Sequence, residues 1–180
     1  MFQRIKEHQF LFEELTKRDF RKKYKRTLLG VAWSVLSPLL TLFVMRIVFT
    51  RFFGGSIPHY TTYLFAGNII FSYFTEATNG GMVALVSNKD IFSKVKLPKY
   101  MFVLSTNVST LLNFVLSLLV FFLFAALDAV VFRWSFLLLL YPMVCLFLFN
   151  VGVSMILSAL DLFFRDTSYL YRIFTMLLMY

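Results

Sequence analysis

Glu76 is the side chain best placed for chemistry, because it is a carboxylate within a long apolar stretch, 60–86. An ionisable group in a membrane span costs at least about 2.5 kcal/mol on insertion scales, so its position indicates a function. It lies beside a polar stripe with spacings of four, three and four, which puts the stripe on one helix face. The stripe consists of Asn68, Ser72, Thr75 and Asn79. A carboxylate there can line a hydrated path or pair with a basic residue, but no second carboxylate accompanies it for acid–base catalysis.

Similar polar stripes occur in the other apolar segments, and each must face protein or water because lipid offers no hydrogen-bond partners. They are Ser34, Ser37 and Thr41; Thr106, Asn113 and Ser117; and Asn150, Ser154, Ser158 and Asp161. Two interpretations stay open, namely packing between helices and the lining of a pathway. Aromatic rings beside polar groups suit sugars, so the candidates for a translocation path are Tyr63, Asn68, Tyr73 and Glu76.

Catalytic and metal-binding patterns do not occur in the sequence. It contains no glycine-rich phosphate loop, no nucleophile–base pair and no metal-ligand spacing. The one cysteine, Cys145, lies in an apolar segment, and the two histidines, His8 and His59, fall on opposite sides of the predicted membrane. We therefore expect a protein that is not an enzyme and holds no cofactor or metal of its own. If ATP drives it, the ATPase must be a separate chain.

The segment 87–99 is the most informative connection between apolar stretches. Asn88 can cap a short helix and Pro98 ends it. Ile91, Phe92 and Val95 would share one face of that helix. An exposed apolar face held between two membrane spans suits docking into a groove on a cytosolic partner. The alternative is a loop that packs back on its own bundle.

The composition predicts an all-α integral membrane protein, a polytopic bundle of transmembrane helices. Hydrophobic residues make up 59% of the chain and charged residues only 15%, whereas soluble domains have about a quarter of their residues charged. Four segments of about 20 residues or more are apolar enough to span a membrane, and a fifth begins before the chain ends. The predicted spans are about 29–50, 60–86, 100–127, 134–164 and an incomplete 170–180. We expect the chain to be part of a longer protein.

The basic residues predict the orientation of these spans. Nine Lys and Arg precede the first span, four lie in 87–99 and two in 161–172, whereas the opposite loops hold only Arg51 and Arg133. Because loops rich in Lys and Arg stay in the cytoplasm, the N-terminus is predicted to be cytoplasmic. The net charge of +9 then reflects orientation and anionic lipid rather than nucleic acid. Residues 1–28 are predicted to form an amphipathic interface helix, with a solvated basic tail as the alternative.

Three segments of the chain carry a family resemblance. The first lies before and within the first predicted span and comprises residues 15–20, 24–25, 29–33 and Pro38. The second is the loop from Asn88 to Pro98, and the third is 163–167, Phe-Phe-Arg-Asp-Thr. In that order they resemble segments of the permeases of ABC exporters for polysaccharides, which include O-antigen, capsule and teichoic acid. The resemblance implies six spans in the full-length protein and an interface helix before the first. It also implies a homodimer in the bacterial cytoplasmic membrane, two cytosolic subunits that hold ATP and Mg, and a lipid-linked glycan substrate.

The same resemblance implies roles for particular residues. Contact with the ATPase would come from the loop residues Asn88, Ile91, Phe92 and Val95. The cytoplasmic entrance would be organised by Arg18, Asp19, Tyr24 and Trp33, with Arg18, Arg21 and Lys22 available to attract a pyrophosphate-linked lipid headgroup. The chain departs from the family pattern by ending within the fifth span, so the final helix and the outer-gate helices lie outside it.

Two other functions remain open. A small-molecule (drug) exporter of the same superfamily would share the coupling loop but would not need an aromatic path of glycan size. A membrane enzyme acting on lipid-linked sugars would use Glu76 or Asp161 as its catalytic carboxylate.

Overall fold

A computed structural model describes residues 2–25, 27–53, 59–92, 98–128, 130 and 134–179, with every side chain in them except those at 2–9, 50–53, 92, 135 and 137. In this part of the chain all regular structure is helical and no strand occurs, which confirms the all-α prediction. The helices are α1 (Phe2–Tyr24), α2 (Trp33–Phe53), α3 (Tyr60–Ser87), α4 (Lys89–Phe92), α5 (Tyr100–Leu127), α6 (Leu140–Phe163) and α7 (Thr167–Met179). The 3-10 helices Gly30–Ala32 and Trp134–Leu139 lead into α2 and α6, so the predicted span 134–164 comprises two elements.

α3 is the central helix of the bundle. It packs against α2, α5, α6 and α7, and α1 packs against α5. Phe65, Ile69 and Ala77 of α3 form a buried cluster with Leu42 of α2 and Phe114 of α5. Because neighbouring helices surround it, α3 can carry polar residues that a lipid-facing helix could not.

α3 and α6 approach each other closely at Gly81 of α3. A Cβ atom at this position would lie 2.4 Å from Cβ of Ser154 in α6, and one at Gly80 would lie 3.2 Å from Cγ2 of Thr106 in α5. Small residues let helix backbones approach closely. The hydroxyl of Ser154 also donates to the backbone carbonyl of Ala77, at 3.2 Å. The two glycines therefore let α5 and α6 pack directly on α3.

The polar stripe of α6 serves helix packing. All four of its members are buried: Asn150, Ser154, Ser158 and Asp161. They face the interior of the bundle rather than lipid. For this helix, the packing interpretation of the stripe is the one that the structure supports.

Three helical segments in the described part of the chain are long and apolar enough to cross a membrane: Gly30–Phe49, Tyr100–Leu127 and Leu140–Phe163. α3 has 28 residues but is not among them, because its polar stripe and Glu76 lower its hydropathy. Large hydrophobic side chains such as Phe43, Leu119 and Leu148 are exposed on α2, α5 and α6. Such a surface is the one that a membrane helix bundle presents to lipid.

Candidate functional site

A cavity of about 370 Å³ lies between α2, α3, α5 and the last turn of α1. Polar stripes from three helices meet in it. The stripe members that line it are Ser34, Ser37 and Thr41 from α2, Asn68 and Ser72 from α3, and Asn113 and Ser117 from α5. We call this space the stripe cavity. The periodicity predicted which residues share a face, and the structure brings those three faces together.

Aromatic side chains form much of the remaining wall of the stripe cavity. Trp33 and Phe65 line it, as do Tyr73 and Phe114. The rings of Tyr73 and Phe114 are stacked with their centroids 4.2 Å apart and their planes 18° from parallel. Aromatic carbon therefore lies in the cavity wall beside hydroxyl and amide groups that both donate and accept hydrogen bonds.

A second cavity, of about 280 Å³, lies nearer the end of the bundle where α3 ends and α5 begins. We call this end of the bundle the α1 end, because α1 covers it, and the second space the vestibule. Asp19, Lys22, Ser87 and Asn88 line the vestibule. Four residues line both cavities: Lys23, Glu76, Thr110 and Asn113. The two spaces therefore adjoin along a shared wall.

The shared wall contains the basic partner of Glu76. Lys23, in the last turn of α1, forms an ion pair with Glu76 of α3, and each side chain is 43% exposed. The neighbouring Tyr24 hydroxyl donates to Oδ1 of Asn113 on α5, at 2.7 Å. Burial raises the pKa of Tyr24 above its ordinary value, and the negative charge of Glu76 adds to this effect. The hydroxyl therefore keeps its proton and its role as donor.

A polar network joins α1 to the connection between α3 and α5. Nη2 of Arg18 donates to Oδ1 of Asn88 at 2.8 Å and to Oδ1 of Asp19 at 2.6 Å. The other carboxylate oxygen of Asp19 accepts from the Ser105 hydroxyl at 3.0 Å. Asn88 itself donates through Nδ2 to the carbonyl of Ala84, at 2.8 Å. Arg18 and Asp19, two of the predicted entrance residues, thus form one cluster with Asn88 of the predicted coupling loop.

The structure describes the predicted coupling helix only as far as Phe92. α4 has four residues, Lys89–Phe92. Ile91 packs against a buried cluster that includes Leu15 of α1 and Phe102 of α5. The side chain of Phe92 and the whole of Val95 lie outside the described residues. Ile91 therefore faces its own bundle, as in the alternative in which the loop packs back.

The remaining predicted site residues divide between the cavities and the surface. Trp33, Asn68, Tyr73 and Tyr24 line the stripe cavity, and Glu76 lines both cavities. Lys22 lines the vestibule. Arg21 is exposed, and Tyr63, which is 70% exposed, lines neither cavity.

Sequence reasoning did not single out Lys23 among the basic residues of the N-terminal region. The available signal was indirect: Glu76 required a basic partner, and Lys23 immediately precedes Tyr24, which was already a candidate. Asp161, the other carboxylate considered for catalysis, is buried and lines neither cavity. In these two cavities the structure therefore does not bring Glu76 and Asp161 together.

No protein-family model matches the chain. Curated proteins do match it over most of its length. An O-antigen export system permease protein from Myxococcus xanthus is 29% identical over 163 residues, which are 89% of this chain and 62% of that protein. Two proteins of the same name from Klebsiella pneumoniae are 29% and 26% identical, each over 95% of this chain and 68% of its own length.

The chain spans about three-fifths of the Myxococcus protein, 62% of its length. The three matches support the family resemblance: over 89% to 95% of its length, this chain is similar to proteins named as O-antigen export system permeases.

Proposed function

We propose that the chain is the membrane-spanning permease subunit of an ATP-driven ABC exporter that moves a lipid-linked cell-surface polysaccharide out of the cytoplasm. The observation that carries the proposal is the stripe cavity: a polar, aromatic-lined space inside a helix bundle whose outer surface is apolar. The relatives that match the chain are named as O-antigen export permeases, which agrees with this assignment.

The lining of the stripe cavity suits a sugar. A sugar ring presents C–H faces, which pack on aromatic rings, and hydroxyl groups, which both donate and accept hydrogen bonds. Trp33 and Tyr73 supply aromatic faces, while Asn68, Ser72 and Ser117 supply polar groups of mixed character. As a glycan moves through the cavity, each sugar unit in turn can form hydrogen bonds with these neutral groups. Passage requires such an exchange of partners.

A separate cytosolic subunit would hold ATP and Mg and hydrolyse ATP. In this proposal the loop 87–99 receives that subunit, with Phe92 and Val95 as contacts predicted from the sequence. The hydrogen bond from Arg18 to Asn88 supports a mechanical role for this region, because it ties the start of the loop to α1. Ile91 supports the base of the loop from within the bundle.

The N-terminus and the α1 end would face the cytoplasm of a bacterium, with the bundle in the cytoplasmic membrane. Arg21 and Lys22 are the basic residues best placed to attract a pyrophosphate-linked headgroup, since Arg21 is exposed and Lys22 lines the vestibule. Arg18 is instead held by Asp19 and Asn88. A second copy of the permease would complete the channel as a homodimer.

A second candidate, export of a small apolar molecule, draws on a different space. An almost wholly apolar cavity of about 180 Å³ lies between α3, α5, the 3-10 helix before α6 and α6 itself. Ile69 and Phe114 separate it from the stripe cavity, because they line both. A drug-like cargo would occupy this apolar space, whereas a glycan would occupy the stripe cavity.

Site-specific photocrosslinking in the full-length protein tests the proposal. A photoreactive amino acid at Ser117, which lines the stripe cavity, should capture the glycan during export. The matched control is Leu119, two residues along α5 and 60% exposed outside both cavities. Glycan adducts at position 117 and none at 119 would support the assignment. Adducts at neither position, while the glycan still reaches the surface, would contradict it.

A further inference from the structure

We propose that the ion pair between Lys23 and Glu76 is the inner gate of the translocation path, which closes the passage from the vestibule to the stripe cavity. This proposal rests on the proposed function, since it assigns a step in the same passage. The gate lies at the end of the stripe cavity that adjoins the vestibule. Its opening would join the stripe cavity and the vestibule, of about 370 and 280 Å³, into one path.

The position of the pair in the shared wall is the first argument. Lys23, Glu76, Thr110 and Asn113 are the residues that line both cavities, so whatever passes between the cavities passes these side chains. Lys23 comes from α1 and Glu76 from α3, so their contact bridges two elements. An ion pair that crosses a passage closes it, and the separation of its two side chains opens it.

The two bonds made by the last turn of α1 differ in a way that suits a gate. The Tyr24–Asn113 hydrogen bond is buried and holds α1 on α5. The Lys23–Glu76 pair is 43% exposed on each side, and an ion pair so accessible to water separates readily. Tyr24 therefore serves as the fixed point, and Lys23, on its long flexible side chain, as the part that moves.

The structure also connects this gate to the predicted ATPase-binding loop. Arg18, five residues before Lys23 on the same helix, is bonded to Asn88 at the start of that loop. A displacement of Asn88 would therefore act on α1 near the residue that holds the passage closed. The connection from the loop to the gate therefore consists of the Arg18–Asn88 hydrogen bond, helix α1 and the Lys23–Glu76 ion pair.

Cysteine accessibility tests the gate without requiring any transported glycan. The full-length protein would carry Cys145→Ser, which removes the one cysteine of the described sequence, together with any others replaced likewise. Ser117→Cys reports from the stripe cavity, and Ser87→Cys reports from the vestibule. A membrane-impermeant thiol reagent is then presented to the α1 side of membrane vesicles, and the labelling rate is measured at each reporter.

Two single variants, Lys23→Met and Glu76→Gln, each remove one charge at nearly constant size. The double variant Lys23→Glu with Glu76→Lys restores an ion pair with its two charges exchanged. We expect Ser117→Cys to be labelled slowly in the parent, several-fold faster in either single variant, and slowly again in the reversed pair. Ser87→Cys should be labelled at one rate throughout, because it reports from outside the gate, and the return to slow labelling of Ser117→Cys in the reversed pair shows that the charge changes do not unfold the bundle. Equal labelling of Ser117→Cys in all four proteins, whether fast or slow, would overturn the gate. Absence of glycan export by the parent full-length protein, with this labelling pattern intact, would instead count against the proposed cargo and leave the gate standing.

Discussion

Arg18 and Asn88 are 70 positions apart in the chain, yet Nη2 of Arg18 donates to Oδ1 of Asn88 at 2.8 Å. The contact joins α1, which covers one end of the bundle, to the residue that leads from α3 into α4. Asn88 is buried at 6% exposure, so the partners of its amide are fixed by the protein rather than by water. The bond is a defined link between α1, the predicted interface helix, and the predicted coupling loop.

Asn88→Ala should uncouple ATP hydrolysis from export. The substitution removes the acceptor for Arg18 and the donor to Ala84, and an unpaired buried polar group costs about 1–3 kcal/mol. Export rate and ATPase rate would be measured together in membranes that contain the partner subunit. Asn88→Asp, which keeps an acceptor for Arg18, should retain more export than Asn88→Ala. Equal export by the two variants would show that the Arg18 contact has no role in coupling.

Phe92→Asp tests the predicted contact with the ATPase. A charged group on an apolar docking surface should weaken binding of the partner and uncouple hydrolysis from export, while membrane insertion stays normal. Co-purification of the ATPase with the permease measures the binding. Ile91→Asp is the comparison, because Ile91 packs within the bundle and its substitution should reduce the amount of folded permease instead. Normal export by Phe92→Asp would remove this residue from the interface.

Gly81→Ala should destabilise the bundle, whereas Gly67→Ala in the same helix should not. A Cβ at position 81 would lie 2.4 Å from Cβ of Ser154, while a Cβ at position 67 would meet nothing within 4 Å. Overpacking of this kind costs about 1–3 kcal/mol. The apparent Tm of the detergent-purified protein measures the effect. Equal Tm values for the two variants would mean that α3 and α6 do not approach each other as closely as described.

Tyr24→Phe should lower stability by leaving Oδ1 of Asn113 without its donor. The loss expected for a buried unpaired acceptor is about 1–3 kcal/mol. A double-mutant cycle with Asn113→Leu isolates the interaction, since the double variant should lose less than the sum of the two single variants. Tyr141→Phe, on a side chain that is 76% exposed, is the control and should leave the Tm unchanged. Strict additivity in the cycle would contradict the hydrogen bond.

Asp128, at the end of the bundle opposite α1, should make the stability of the protein depend on pH. The Thr62 hydroxyl donates to Asp128 at 2.6 Å and, together with His59 and the positive charge of Arg46, lowers the pKa of Asp128 below its ordinary value of 3.8. A carboxylate with a lowered folded pKa stabilises the protein above the pKa of the unfolded chain. That contribution is lost as the pH falls from 3.8 through the folded value.

The matched comparison is the parent protein against Asp128→Asn. The parent should have the higher Tm at about pH 6, and the difference should shrink as the pH is lowered to about 3. The effect is modest because the Asp128 side chain is 32% exposed. A Tm difference that does not change over this range would show that the carboxylate gains nothing from Thr62 and His59.

Periodicity alone predicted which polar residues share a helix face, because helical geometry fixes that relation within one segment. It could not predict what each face meets. Ser34 and Ser154 are both buried serines of polar stripes, yet the first lines the stripe cavity and the second packs against Gly81. The difference arises from which neighbour each helix meets, and that is a property of the assembled bundle.

The partner of Glu76 shows the same limit. An ionisable residue in an apolar segment predicts a functional position and a need for a partner, since an unpaired charge there is costly. Nine basic residues precede the first span, and the sequence did not distinguish among them. Lys23 is selected only by the way in which α1 lies across α3 and α5, where Tyr24 is bonded to Asn113.

Depletion of the full-length protein in its host, followed by location of the lipid-linked glycan, tests polysaccharide export directly. We expect the polymer to accumulate on the cytoplasmic face of the membrane and to disappear from the cell surface, and we expect re-expression of the parent protein to reverse both effects. An unchanged surface glycan after depletion would contradict export of a polysaccharide and would favour a small-molecule cargo.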